Sequence, residues 1–236
     1  MTNEPAGEPA AADPTVSWRE QAVARSLVPA RMRAEDRVQR FLDAALELVQ
    51  EGASGKEFTV QEVVERSGQS LRSFYLYFGG KHELLLALFE ESVRTTADRL
   101  RAQIDDEHDP LERLHRFVVD YYRMCRPTQG TPSTTPRPTA PVLVDFAQRL
   151  LTERPAEAAT AFAPLVLLFG EVLDGAAEAG EVRGGLRSGP VAGIVLEAIM
   201  FNAFSAVIGA SSPADVADPA EELWDLVLHG VAGAPS

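Results

Sequence analysis

Between residues 70 and 81 this chain gathers Ser70, Arg72, Ser73, Tyr75, Tyr77 and Lys81. Hydroxyls, a guanidinium and an ammonium are all donors. Set this close together they suit an anionic polymer, with phosphate oxygens fixing position and base edges carrying the message. A second set invites metal chemistry. His108, Glu112 and His115 stand at i, i+4 and i+7, a spacing that stacks three ligands on one helical face. Glu112 to His115 is also an E-x-x-H step of the kind found in di-iron helical bundles. Such a bundle needs two of these steps plus two further glutamates, and the chain has no second E-x-x-H. His108 also precedes Pro110 and can fall before the helix. A solvated polar face is the better reading, and no metal and no cofactor are expected. There is no G-x-S-x-G, no Walker loop and no dinucleotide glycine pattern. No enzymatic activity is expected.

The donors near residue 70 need elements to aim them, and the local chemistry supplies these. Thr59 and Glu62 form a T-x-x-E capping box before an apolar run, so a helix should begin at Val60. Val60, Val63 and Val64 then give one apolar face. Gly68 can take the left-handed conformation that ends a helix within one residue. Ser70 is the next N-cap, so a second helix should start near Leu71. The connection is only a few residues long, as a helix-turn-helix requires. Phe74 and Phe78 sit four apart and should face the core. Arg72, Ser73, Tyr75 and Tyr77 are left to other faces. Gly79-Gly80 breaks the helix and Lys81 opens the next, where its ammonium and the free N–H groups both suit a phosphate.

These residues resemble the DNA-binding domain of TetR-family transcriptional repressors. The likeness covers Arg37 to about Glu91: RVQRFLDAALELVQEG, then FTVQEVVERSG, then QSLRSFYLYFGGKHELLLALF. Its most family-like piece is SFYLYF followed closely by K-x-E-L-L. The DNA-contacting set that the resemblance implies is Thr59, Ser70, Leu71, Arg72, Ser73, Tyr75, Tyr77 and Lys81. Thr59 and Lys81 would meet phosphates from two helix N-termini. Ser73, Tyr75 and Tyr77 would meet backbone phosphate or sugar, with Leu71 and Arg72 over base edges. Gln69 stands where the family usually has a small apolar residue, and Leu71 where a polar one is common. The second departure shifts base reading onto Arg72, with Leu71 against a thymine methyl.

Composition is compatible with this. The 236 residues are 45% hydrophobic and carry a net charge of −13. That charge is uneven. Residues 31–101 hold eleven Lys+Arg against twelve Asp+Glu, whereas residues 102–236 hold nine against nineteen. The acid lies mostly outside the reading head, so moderate affinity per protomer, raised by dimerisation, is expected. A lone Cys125 excludes an intramolecular disulfide and suits a reducing cytoplasm. It reads as a buried core cysteine. Residues 1–15 have neither the basic nor the apolar region of a signal peptide, and read as a disordered tail. Arg19, Arg25, Arg31 and Arg33 could make a basic arm into a minor groove. Alternatively they lie on a short extra helix anchored by Trp18.

The rest reads as helix: about 81–104, 110–126, 141–153, 155–180, 188–210 and 218–231, with the proline-rich stretch 127–141 as a loop. Residues 191–210 are long enough to cross a bilayer, but Glu197 and Asn202 lie inside, so a buried helix is expected. With Leu223, Trp224, Val227 and Leu228 it would build a four-helix interface across a twofold axis, where the resemblance places dimerisation. The resemblance also implies a small-molecule cavity in the C-terminal helices. Candidate lining residues are Phe117, Tyr121, Phe146, Phe169, Met200 and Phe204, each also an ordinary core candidate. They point to an apolar effector. An anionic one would need a local arginine such as Arg123 or Arg149.

The resulting expectation is an all-α protein. Residues 1–30 form an arm, 31–80 a three-helix helix-turn-helix domain, and 81–236 a helical effector-binding and dimerisation domain. Its partners would be an inverted-repeat operator in double-stranded DNA, a small-molecule effector and a second copy, with no membrane. It would act in the cytoplasm as a repressor released by its effector. The alternative is a helical-bundle carrier or enzyme with a degenerate helix-turn-helix.

Overall fold

The computed structural model describes residues 18–51, 58–125, 141–204 and 218–231. Among them there are helices and no strands: α1 (Trp18–Glu51), α2 (Val60–Ser67), α3 (Leu71–Tyr77), α4 (Lys81–Ile104), α5 (Pro110–Cys125), α6 (Pro141–Glu153), α7 (Pro155–Glu178), α8 (Ser188–Phe204) and α9 (Pro219–Val231). Proline opens α5, α6, α7 and α9, where its fixed φ fits and its missing N–H costs nothing. Asp109 Oδ1 accepts the N–H groups of Leu111 and Glu112 at 2.9 and 3.0 Å and so caps α5. The stretch read as a proline-rich loop and the end of the 188–210 helix lie outside the described residues.

The head is a small core of α1, α2, α3 and the start of α4. Phe41, Ala44, Ala45 and Val49 form the buried stripe of α1, at the spacing of an amphipathic helix. The rings of Phe41 and Phe74 meet edge-on at 5.5 Å, and Phe41 and Phe78 at 6.1 Å. On the surface Arg66 of α2 forks onto Glu51 of α1 at 2.7 and 2.9 Å and reaches Glu47 at 3.1 Å. The pairs are solvent-exposed, so they fix the angle between the helices more than they add stability.

From there α4 runs into the C-terminal helices. Its buried residues extend from Leu84 to Ile104, so one helix contributes to both cores. Leu114, Phe117, Val118, Tyr121 and Tyr122 form the buried side of α5, as the pattern required. Cys125 is buried at its end, and burial pushes its thiol up to about 12. Such a thiol is almost never the reactive thiolate at neutral pH.

Three expectations are revised. The basic segment before residue 37 is neither a free arm nor a separate short helix. From Trp18 it is one helix with the first reading-head helix, through Pro29 and past the boundary drawn at residue 30. Pairs one turn apart, Arg31–Glu35 at 2.7 Å and Asp36–Arg40 at 3.1 Å, support it. Trp18 is 76% exposed. Second, α8 is not buried all round. Val195, Leu196 and Ile199 point inward, but Ile194 and Phe201 are 69% and 61% exposed. Third, Leu223 and Trp224 do not face outward. They are buried within the protomer, with Trp224 against the His115 ring at 5.1 Å. As its place before Pro110 implied, His108 precedes α5, and His115 Nε2 is paired with Glu221 at 2.7 Å. Among the described residues no group of three or more His, Cys, Asp or Glu is placed to hold a metal. The one described helix apolar and long enough to span a bilayer is α7, and its Leu165, Leu168, Phe169, Val172 and Leu173 are core.

Gly68 tests the turn. Its φ is +65°, and a Cβ there would meet nothing within 4 Å. The whole cost of Gly68→Ala is therefore backbone conformation, about 1 kcal/mol. The urea midpoint should fall accordingly at unchanged m-value.

Candidate nucleic-acid interface and cavities

The reading helix α3 is seven residues long and is set by its ends. Ser70 caps it, its Oγ accepting the Ser73 N–H at 3.1 Å. The Phe78 N–H donates to the Phe74 carbonyl at 2.9 Å and closes it. Phe74 is fully buried and Phe78 nearly so, which turns the opposite face outward. On that face Leu71 is 44%, Tyr75 57% and Leu76 71% exposed. Arg72 and Ser70 are exposed with them. The Tyr75 ring stands edge-on to Phe74 at 5.4 Å, so a buried neighbour steers an exposed phenol. Leu76 was not singled out from the sequence. The signal was available, since two positions past Phe74 on a helix is the far side.

The expected contact residues divide. Ser70, Leu71, Arg72 and Tyr75 share the exposed face. Tyr77 is half-buried and packs against the head core. Ser73 is turned inward, its Oγ enclosed and without a hydrogen-bond partner; as placed it offers a duplex no hydroxyl. Thr59 is exposed but engaged. Its Oγ1 donates to Glu62 Oε2 at 2.9 Å and accepts the Glu62 N–H at 3.2 Å, while the Glu62 carboxylate takes the Thr59 N–H at 2.7 Å. As the capping box requires, Glu62 covers the α2 N-terminus. Glu83 does the same beside α4, accepting the Gly79 N–H at 2.6 Å. Lys81, at the first position of α4, holds its Nζ 4.8 Å above the Phe58 ring. The two helix starts that frame α3 thus carry carboxylates where a backbone phosphate would sit.

Two cavities flank the α6–α7 corner. The larger, about 470 Å³, lies among α6, α7 and α8 and is lined by Leu151, Ala158, Phe162, Val166, Leu196 and Met200, with Glu197 its only ionisable group. The smaller, about 190 Å³, lies between the start of α4 and the corner, lined by Lys81, His82, Phe146, Arg149, Glu153 and Arg154 among others. Of the candidate lining residues, Met200 reaches the apolar cavity and Phe146 the polar one. Phe117, Tyr121 and Phe169 pack on one another, Phe117 and Phe169 at 5.2 Å, and line none of the described cavities. The Phe204 side chain lies outside the described residues. Arg123 is paired with Asp218 at 2.7 Å, and Arg149, whose Nε donates to the Asp145 carbonyl at 3.4 Å, lines the polar cavity.

Helix α4 is tied to α7 at two points. His82 Nε2 meets Glu157 Oε2 at 2.7 Å, joining the first turns of α4 and α7, and Arg101 meets Glu171 at 2.8 Å further along. Hydrogen bonds from His82 and then Arg154 hold the Glu157 carboxyl below the usual glutamate range.

Residues 41–88 match the family model described as bacterial regulatory proteins, tetR family. An uncharacterized HTH-type transcriptional regulator, YvdT, of Bacillus subtilis (strain 168) is 28% identical over 71 residues, 30% of this chain and 36% of that protein. The fatty acid metabolism regulator protein of the same strain is 24% identical over 85 residues, 36% of this chain and 43% of that one. The chain thus spans less than half the length of these curated relatives. Among solved structures, the transcriptional regulator FadR from Bacillus subtilis in complex with stearoyl-CoA superposes with a TM-score of 0.55 at 15% identity, covering 81% of this chain and 98% of that one. At that identity the likeness is one of fold.

A depressed carboxylate stabilises the folded chain above its unfolded pKa, and that contribution is lost as pH falls through the folded value. Glu157→Gln should therefore lower stability at neutral pH and flatten the profile below about pH 4.5, where the wild-type chain loses this contribution. Urea unfolding across that range reads it directly.

Proposed function

We propose that this chain, whose residues 41–88 match the family model of bacterial regulatory proteins, tetR family, is a cytoplasmic transcriptional repressor that binds an inverted-repeat operator as a homodimer and leaves it when a small apolar effector binds. The observation that carries this is the outward face of α3, where Arg72 and Tyr75 project beside Leu71 and Leu76 while Phe74 is locked into the core. An exposed leucine pair beside a guanidinium on a capped helix suits a groove floor, with methyl contacts and one base edge.

The partner copy is the second element. Leu167 of α7, Ile194 and Phe201 of α8 and Leu226 of α9 are each more than half exposed, at 67%, 69%, 61% and 71%. Large apolar side chains left in water on neighbouring helices mark an interface. Two heads must reach half-sites about 34–36 Å apart, so a small change in their separation removes one of them. The link is α4, shared by both cores and tied to α7 at both ends. An effector has only to favour the mismatched spacing by a few kcal/mol.

The apolar cavity supports an effector with a large hydrocarbon part. The fold shared with a regulator solved with stearoyl-CoA, and the partial match to a fatty acid metabolism regulator, support an acyl compound. The regulatory role involves no catalysis by this chain.

Arg72→Ala and Tyr75→Ala should each weaken operator retention at least tenfold, the scale of one lost groove or phosphate contact, with unchanged helical circular dichroism. Duplexes selected from a random pool supply the operator; no selection at low salt would defeat the reading. Ile194→Asp with Phe201→Asp should shift sedimentation from dimer to monomer and abolish retention. A wild-type monomer at micromolar concentration would remove the dimer.

A further inference from the structure

We propose that the polar cavity between the first turn of α4 and the α6–α7 corner is a binding site for one phosphate-like anion, and that it shares Lys81 with the reading head. The cavity holds about 190 Å³, ample for a phosphate group and too small for an acyl chain or a nucleotide. Lys81 and His82 enter it from α4, Arg149 and Glu153 from α6, and Arg154 from the corner. Four of these can be positive and one is negative, in a chain whose net charge is −13. Convergent guanidinium and ammonium groups from separate elements are the usual means of holding a tetrahedral oxyanion.

Part of this cluster is already arranged around a carboxylate. Glu157 accepts from His82 at 2.7 Å and from Arg154 at 2.7 Å, so an imidazole and a guanidinium are held at the cavity edge by an oxygen anion. The apolar cavity is a different place. Leu150 and Arg154 face the polar one, and their neighbours Leu151 and Pro155 face the apolar one, so the α6–α7 corner separates them. An apolar effector and a phosphate-like anion can then act on the same corner from opposite sides.

The shared lysine gives the site a consequence. Lys81 lines the cavity and also stands over Phe58 at the start of α4, where the head would meet a backbone phosphate. An anion that draws the ammonium inward withdraws it from the duplex, and by linkage the duplex weakens anion binding equally. This coupling rests on the DNA-binding reading; the anion site does not.

Titration calorimetry of the full chain with inorganic phosphate, in low-chloride buffer, should show saturable binding of one ion per protomer. Arg149→Ala with Arg154→Ala should weaken it by roughly tenfold or more, the loss of charge-assisted contacts. Glu153→Gln should tighten it by roughly threefold by removing a like charge, an effect that misfolding cannot mimic. Glycerol 3-phosphate separates the two sources of the group: tighter binding than phosphate indicates an organic phosphate, equal binding the free ion. No saturation at millimolar phosphate, or affinity indifferent to all three substitutions, overturns the site. Operator retention is then followed with phosphate against chloride at equal ionic strength. A greater loss with phosphate supports the shared lysine, and equal loss overturns it. A chain that retains no duplex defeats the DNA-binding reading while the calorimetry still decides the site.

Discussion

A helix of seven residues cannot hold itself together in water, because nucleation is costly and too few hydrogen bonds repay it. The reading helix α3 exists because Phe74 and Phe78 are clamped against Phe41 of α1. Everything outward on it follows from that ring cluster. Tyr75 is steered by its contact with Phe74, and Leu71, Arg72 and Leu76 face solvent because the other side is occupied. The orientation of the recognition surface is thus a packing result, decided by aromatic rings that never touch a duplex.

The second dependence is α4. Its apolar stripe serves the head core at one end and the C-terminal core at the other, so neither body can rotate without disturbing the other. Two ion pairs, His82–Glu157 and Arg101–Glu171, pin it to α7. Exposed pairs of this kind add little stability. Their value is geometric, since they choose one angle between α4 and α7 among several that the apolar contacts would tolerate. An occupant of either cavity at the α6–α7 corner presses on the same junction.

Electrostatics shape the head in a way the net charge conceals. The head is close to neutral, and two of its carboxylates, Glu62 and Glu83, sit at the helix starts that frame α3. In the free protein they satisfy backbone donors that would otherwise wait for phosphate. That favours a folded, soluble head and lowers its affinity for any duplex. A second head would offset the loss, which is a physical argument for the proposed dimer.

The amino-acid sequence by itself determined the local architecture. The Thr59–Glu62 box, Gly68, Ser70 and the prolines at helix starts placed the turn and nearly every described boundary, because caps and turn conformations are settled by groups within about four residues. The helix-turn-helix and the inward Phe74 and Phe78 were legible for the same reason. What only the tertiary structure decided is which face of each helix is left over. Ile194 and Phe201 outward, Trp224 inward and Ser73 enclosed depend on partners far away along the chain. So do Glu157 on His82, 75 residues apart, and Glu221 on His115, 106 apart. Apolar periodicity states that a face will be buried but not against what, and a cavity is a property of the gaps between elements rather than of any one of them.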